Sequence, residues 1–122
     1  LHADRVEDQS LLGPLKAMVM RATPEQHRRQ IQALLNRPDL RPRLAGIACP
    51  TLVMVGRQDR WSPLAQHEEM VELIPNAELV VIEDSGHMSL LEQPEQVSRA
   101  LLRWLDFENK TASAESAAET GR

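Results

Sequence analysis

An aspartate and a histidine carry the chemistry this sequence offers. Asp59 stands in Gly56-Arg57-Gln58-Asp59 and His87 in Asp84-Ser85-Gly86-His87, each shortly after an apolar run, TLVMV over 51–55 and ELVVI over 78–82. A carboxylate that accepts a hydrogen bond from imidazole Nδ1 fixes the ring's tautomer. It also stabilises the imidazolium that forms when Nε2 takes a proton from a nucleophile. The pair suits that work if the fold brings the two loops together. Gly56 and Gly86 are expected to permit tight backbone turns at the ends of the runs. Other readings stand beside these. Asp59 can simply cap a helix beginning near Ser62, and His87 can be a loop histidine satisfied by backbone. Glu83 and Asp84 are rival acids, although side chains so close in sequence rarely meet the ring in line. Ser85 reads as structural, with no strand directly before it.

Two elements must position those loops. TLVMV, opened by Pro50 and closed by Gly56, has the continuous apolar character of a strand covered on both faces in a parallel sheet. ELVVI repeats it. Between them Ser62 and Pro63 predict a helix start by cap and first-turn logic, running to about Ile74 with Leu64, Met70, Val71 and Ile74 inward. A strand, a crossover helix and a second strand make a parallel βαβ unit, right-handed in nearly all cases. Loops that follow parallel strands emerge at the same carboxyl edge, where open α/β folds bind ligands. Strands lie about 4.8 Å apart, so an Asp–His hydrogen bond is geometrically easy.

Upstream, Leu11, Leu12, Leu15 and Met18 recur at helical spacing, and Gly13-Pro14 predicts a start or a break near residue 14. Thr23, Pro24 and Gln26 form a capping-box signature for a second helix with Ile31, Leu34 and Leu35 on its apolar face, ending before Pro38. Residues 40–48 read as a connector or one helical turn. Downstream, Gln93 and Pro94 open a last helix with Val97, Leu101, Leu102 and Leu105 on one face. TASAESAAETGR is small and polar, as expected of a disordered tail. Two parallel strands alone make a poor sheet with both edges open, so the fold asks for more strands than the chain supplies.

Composition narrows the classes. The 122 residues are 42% hydrophobic and 26% charged, the balance of a globular domain. No run approaches the roughly 18–20 apolar residues of a membrane span, and LHADRVEDQS lacks the basic and apolar regions of a signal peptide. The expected location is cytoplasmic. Cys49 is the sole cysteine, so no internal disulfide forms, and it reads as a small buried apolar group. His2, His27, His67 and His87 show no metal-ligand spacing, and His67 reads as a structural histidine on its helix. A formal charge of -4, mixed along the chain, gives no footprint for nucleic acid or anionic lipid. No metal or organic cofactor is implied, and a small-molecule partner is expected.

The stretch Cys49 to Pro63, then Ile74-Pro75-Asn76-Ala77, Asp84-Ser85-Gly86-His87-Met88 and Leu91-Glu92-Gln93-Pro94-Glu95-Gln96-Val97, closely resembles the last third of α/β-hydrolase-fold enzymes of the esterase and lactonase kind. The resemblance covers about residues 47–105. It implies a partial α/β-hydrolase fold: the last two parallel strands with crossover helices, preceded by cap helices. Residues 1–45 would be part of a helical cap or lid, 46–108 the C-terminal part of the core, and 109–122 a tail. Asp59 matches the triad acid and His87 the triad histidine. Trp61 becomes a candidate for lining the substrate entrance, with plain packing as the alternative. Met18, Met20 and the leucines around them can line a cap pocket or simply pack helices.

One part of the pattern is missing. In this family the nucleophile precedes the acid and histidine on a G-x-S-x-G elbow, near the oxyanion hole. None of Gly13, Gly46, Gly56, Gly86 and Gly121 frames such an elbow. The resemblance therefore implies a hydrolase of ester, lactone or similar acyl bonds whose nucleophile lies in an absent upstream half, so the chain alone is expected to be inert. Leu1 in place of Met fits a processed, cloned or partial chain better than an intact reading frame. The alternative is a truncated, non-catalytic binding or regulatory module that pairs through its sheet edge with a partner chain.

Overall fold

The computed structural model describes residues 1–106; the expected tail falls outside them. The described chain opens with a 3-10 turn over Ala3–Arg5. It continues through helices α1 (Gln9–Met20), α2 (Pro24–Leu35) and α3 (Arg41–Leu44), strand β1 (Thr51–Gly56), helix α4 (Leu64–Leu73), strand β2 (Ala77–Ile82) and helix α5 (Ser89–Glu92). A last helix, α6, spans residues 94–106.

The strands pair in parallel, in register from Thr51 opposite Ala77 to Gly56 opposite Ile82, and α4 makes the crossover. The βαβ unit thus forms as its pattern predicts, and among the described residues the sheet has two strands. The pairing is anchored at its start: Thr51 N–H donates to the Asn76 carbonyl, while the Asn76 amide donates to the Ala48 carbonyl at 3.0 Å. Val53, Val55, Ile74, Ile82, Val97 and Ala100 form the buried core. Coverage on both faces is only partly reached, because Leu52, Met54, Leu79, Val80 and Val81 are half-buried.

Several helix expectations are corrected. Helix α1 begins at Gln9 behind the Asp8 cap and runs through Pro14 without a break. Proline crowds the Cβ of the residue before it, and Gly13 has none, so the helix continues at the loss of one amide donor. Ser62 does not cap α4; Pro63 holds that position and no side chain caps it. On α4 only Ile74, just past its end, is buried, while Leu64, Met70 and Val71 are half-buried. On α6 the buried stripe is Val97 and Ala100 with Trp104 half-buried, and Leu101, Leu102 and Leu105 face outward. Of the expected face Val97 is buried, but the stripe continues through the small Ala100 and not through Leu101, Leu102 or Leu105. Cys49 is exposed rather than buried, since it lies ahead of the strand's start.

The capping box of α2 forms in full, with Thr23 and Gln26 exchanging hydrogen bonds. Its apolar face nevertheless meets solvent, as Ile31, Leu34 and Leu35 are all exposed.

Candidate active site

The loops after β1 and β2 leave the sheet at one edge and are tied together at several levels. Gln58 N–H donates to the Ser85 carbonyl, and Ser85 N–H donates back to Gln58 Oε1 at 3.0 Å. Arg57 and Glu83 form a forked ion pair across the two loops, with contacts of 2.6–2.8 Å. A side chain at Gly56 would run into the backbone carbonyls of Ser85 and Gly86. Glycine is therefore required there by the close approach of two backbones. Among the described residues no glycine has positive φ, and the non-glycine residue in the left-handed region is Asp84, at φ 50°, a type that tolerates that region.

These ties bring Asp59 and His87 into contact. The His87 ring nitrogen Nδ1 lies 2.8 Å from Asp59 Oδ2. The other carboxylate oxygen, Oδ1, accepts from Trp61 N–H and Ser62 N–H, both at 2.9 Å. Asp59 does not cap α4, which starts at Leu64 with no side-chain cap; one oxygen meets His87 and the other holds the backbone of the turn ahead of that helix. The division locks the carboxylate plane, since neither oxygen is free to rotate away. Burial pushes the Asp59 carboxyl up. Hydrogen bonds from Ser62, His87 and Trp61 outweigh it and hold the group below its ordinary value. The side chain of Asp59 is 5% exposed and that of His87 43%, so the ring is anchored on its buried side and open on the other.

The rival acids lie elsewhere. Glu83 is engaged by Arg57, and among the described residues Asp84 makes no side-chain bond to His87. Ser85 is wholly buried and donates toward Gly86 O and Ser89 Oγ, where no substrate carbonyl can reach it. His67 Nδ1 sits 3.1 Å from the Pro63 carbonyl on its own helix. Trp61 is 77% exposed and lies against the His87 ring, centroids 5.0 Å apart and planes tilted by 31°. Among the described residues no group of three His, Cys, Asp or Glu side chains gathers to hold a metal ion, and no helix is long and apolar enough to cross a membrane.

Two residues that hold the site escaped the sequence reading. Gln58 and Glu92 stand inside the quoted stretches Gly56-Arg57-Gln58-Asp59 and Leu91-Glu92-Gln93-Pro94, with no role given to either. The only signal for Glu92 was a carboxylate next to apolar residues. Nothing in the pattern says that its side chain is fully buried.

Comparison with known proteins places this arrangement. The model of the Alpha/beta hydrolase family matches residues 2–100. The pimeloyl-(acyl-carrier protein) methyl ester esterase of Xanthomonas oryzae is 38% identical over 73 residues, 60% of this chain and 29% of that one. Among solved structures, a thermophilic esterase from Thermogutta terrifontis has a TM-score of 0.56 and 45% identity, over 58% of this chain and 26% of that one. Est816, described as an N-acyl homoserine lactone degrading enzyme, has a TM-score of 0.67 and 30% identity, over 83% of this chain and 41% of that one. The chain thus spans well under half the length of the relatives it matches. Its two parallel strands and flanking helices are part of the fold those enzymes share, and this chain belongs to the alpha/beta hydrolase family.

Proposed function

We propose that this chain supplies the acid and the base of a hydrolase acting on ester, lactone or similar acyl bonds. The observation that carries the reading is the 2.8 Å contact between His87 Nδ1 and a buried Asp59 carboxylate that is itself fixed by two backbone N–H groups. With Nδ1–H donated to Asp59, Nε2 is left as the acceptor on the open side of the ring. There it takes the proton of a nucleophile as acyl transfer begins and returns it to the leaving group. Asp59 orients the ring and stabilises the imidazolium. Trp61, stacked on the ring and open to solvent, borders the substrate entrance, and its π-face favours the charged ring.

The nucleophile and oxyanion hole come from outside this chain, which carries no G-x-S-x-G elbow, so the chain by itself does not turn over substrate. In this reading residues 1–45 belong to a helical cap and 46–108 to the C-terminal part of the core. The test is hydrolysis of a panel of acyl esters and lactones by the protein extended with its natural upstream sequence, with His87→Ala as control. Unchanged rates in the variant would remove His87 from the mechanism, and hydrolysis by the purified 122-residue chain would refute its inertness.

A second reading has one observation in its favour. Both outer edges of the described two-stranded sheet lack a neighbour strand, and unpaired edges recruit strands. A non-catalytic module would use that edge to bind a partner chain. In that case the extended protein is inactive on every acyl substrate while the chain is found in a stable complex.

A further inference from the structure

The histidine loop is held by a carboxyl group that plays no part in the proton relay described above. Glu92, on α5, has a side chain with no solvent exposure. Its Oε1 accepts from Gly86 N–H at 3.1 Å and from Met88 N–H at 3.2 Å, the amides on either side of His87. Its Oε2 accepts from the backbone N–H of His2, and Arg5 forms an ion pair with the same oxygen at 3.9 Å. Arg5 also donates to the Asp84 carbonyl at the start of the loop. Gly86 has room for no side chain, because a Cβ there would lie 2.5 Å from the Leu1 carbonyl carbon. The N-terminal turn, the histidine loop and α5 therefore converge on one buried acceptor.

Buried backbone N–H groups need partners, and a loop without ladder bonds must find them in side chains. A carboxyl oxygen shared by residues 86 and 88 fixes the backbone on both sides of residue 87 while leaving its imidazole free. We propose that Glu92, with Arg5 behind it, is a positioning residue for His87: it sets the backbone from which the ring reaches Asp59. The proposal rests on the reading of Asp59 and His87 as an acid–base pair, and it adds the group that maintains their geometry.

Glu92→Gln tests it in the upstream-extended protein. The variant keeps the side chain's shape but places an NH2 group where one set of donors now finds an acceptor. Two readouts are taken below the melting temperature. The first is the 1H NMR resonance of the proton shared between His87 Nδ1 and Asp59. The second is turnover of an acyl ester, with kcat and KM separated. The expected result is a broadened or lost resonance and a kcat lower by about tenfold or more at a KM within about twofold, as misplacement of a reacting group predicts. An intact resonance and unchanged kcat, even with a lowered melting temperature, would make Glu92 a stabilising residue only and overturn the proposal. If Glu92→Gln does not fold by circular dichroism, Arg5→Gln decides. A partial change in the same direction supports the proposal, and no change overturns it. Should the wild-type protein hydrolyse nothing, the proposed function fails and the resonance alone decides the role of Glu92.

Discussion

Helices α1 and α2 and the β1–α4–β2 unit are equally regular, yet they end in opposite environments. The unit buries Val53, Val55, Ile74 and Ile82. The two helices bury no residue, and they expose Met20 at 73% and Leu35 at 80%. Local order in α2 is nonetheless complete, with a full capping box and Glu25 bonded to Arg29 at 2.8 Å. Regular secondary structure and burial are therefore separate achievements. A cap and a periodic sequence suffice for the first. The second needs a partner surface, and for these helices the described residues do not provide one.

The sharpest break of this contrast is catalytic. In the upstream-extended protein, Asp59→Asn is expected to lower kcat by about 10⁴-fold, the loss seen when a triad histidine is left in the wrong tautomer. Met20→Ala should change kcat by far less, as measured on the same ester. A comparable loss from both would mean that the helical region takes part in the chemistry itself.

Stability should divide along the same line. Ile82→Ala removes the most completely buried large side chain of the unit and is expected to cost about 2–5 kcal/mol in denaturant unfolding. Leu35→Ala in the 122-residue chain should stay within about 0.5 kcal/mol, as exposed sites do. If upstream sequence covers α2, the same substitution in the extended protein will cost more, and the difference between the two constants measures that covering.

Acid sensitivity provides a third measure. The carboxyl of Asp59 is held below its ordinary value of 3.8 in the folded chain. Its contribution to stability is therefore complete above the unfolded value and is lost as pH falls through the folded one. Melting temperature against pH should fall more gently in Asp59→Asn below about pH 4, and an identical acid limb in both proteins would contradict the hydrogen-bonded carboxylate. The smallest effect is local: Thr23→Ala should cost about 1 kcal/mol of helix stability, read as lost amide protection in the first turn of α2 alone.

Much of this molecule was decided by residues close together in the sequence. The strands follow from two apolar runs bounded by Pro50, Gly56 and Asn76, and the start of α2 from Thr23, Pro24 and Gln26. The parallel βαβ arrangement follows from the length of the connection, and with it the common edge that Asp59 and His87 share. Each of these is set by sterics or by hydrogen bonds spanning a few residues.

What needed the tertiary structure were the contacts between distant segments. Gly56 is essential because residues 85 and 86 pass over it. Glu92 acquires three backbone donors only when the N-terminal turn and the histidine loop close around it. The buried stripe of α6 passes through Ala100 and not Leu101, because the space against the sheet, and not hydrophobicity alone, selects which side chain enters. Periodicity reports which residues can be buried together; only the packed neighbours determine which of them are.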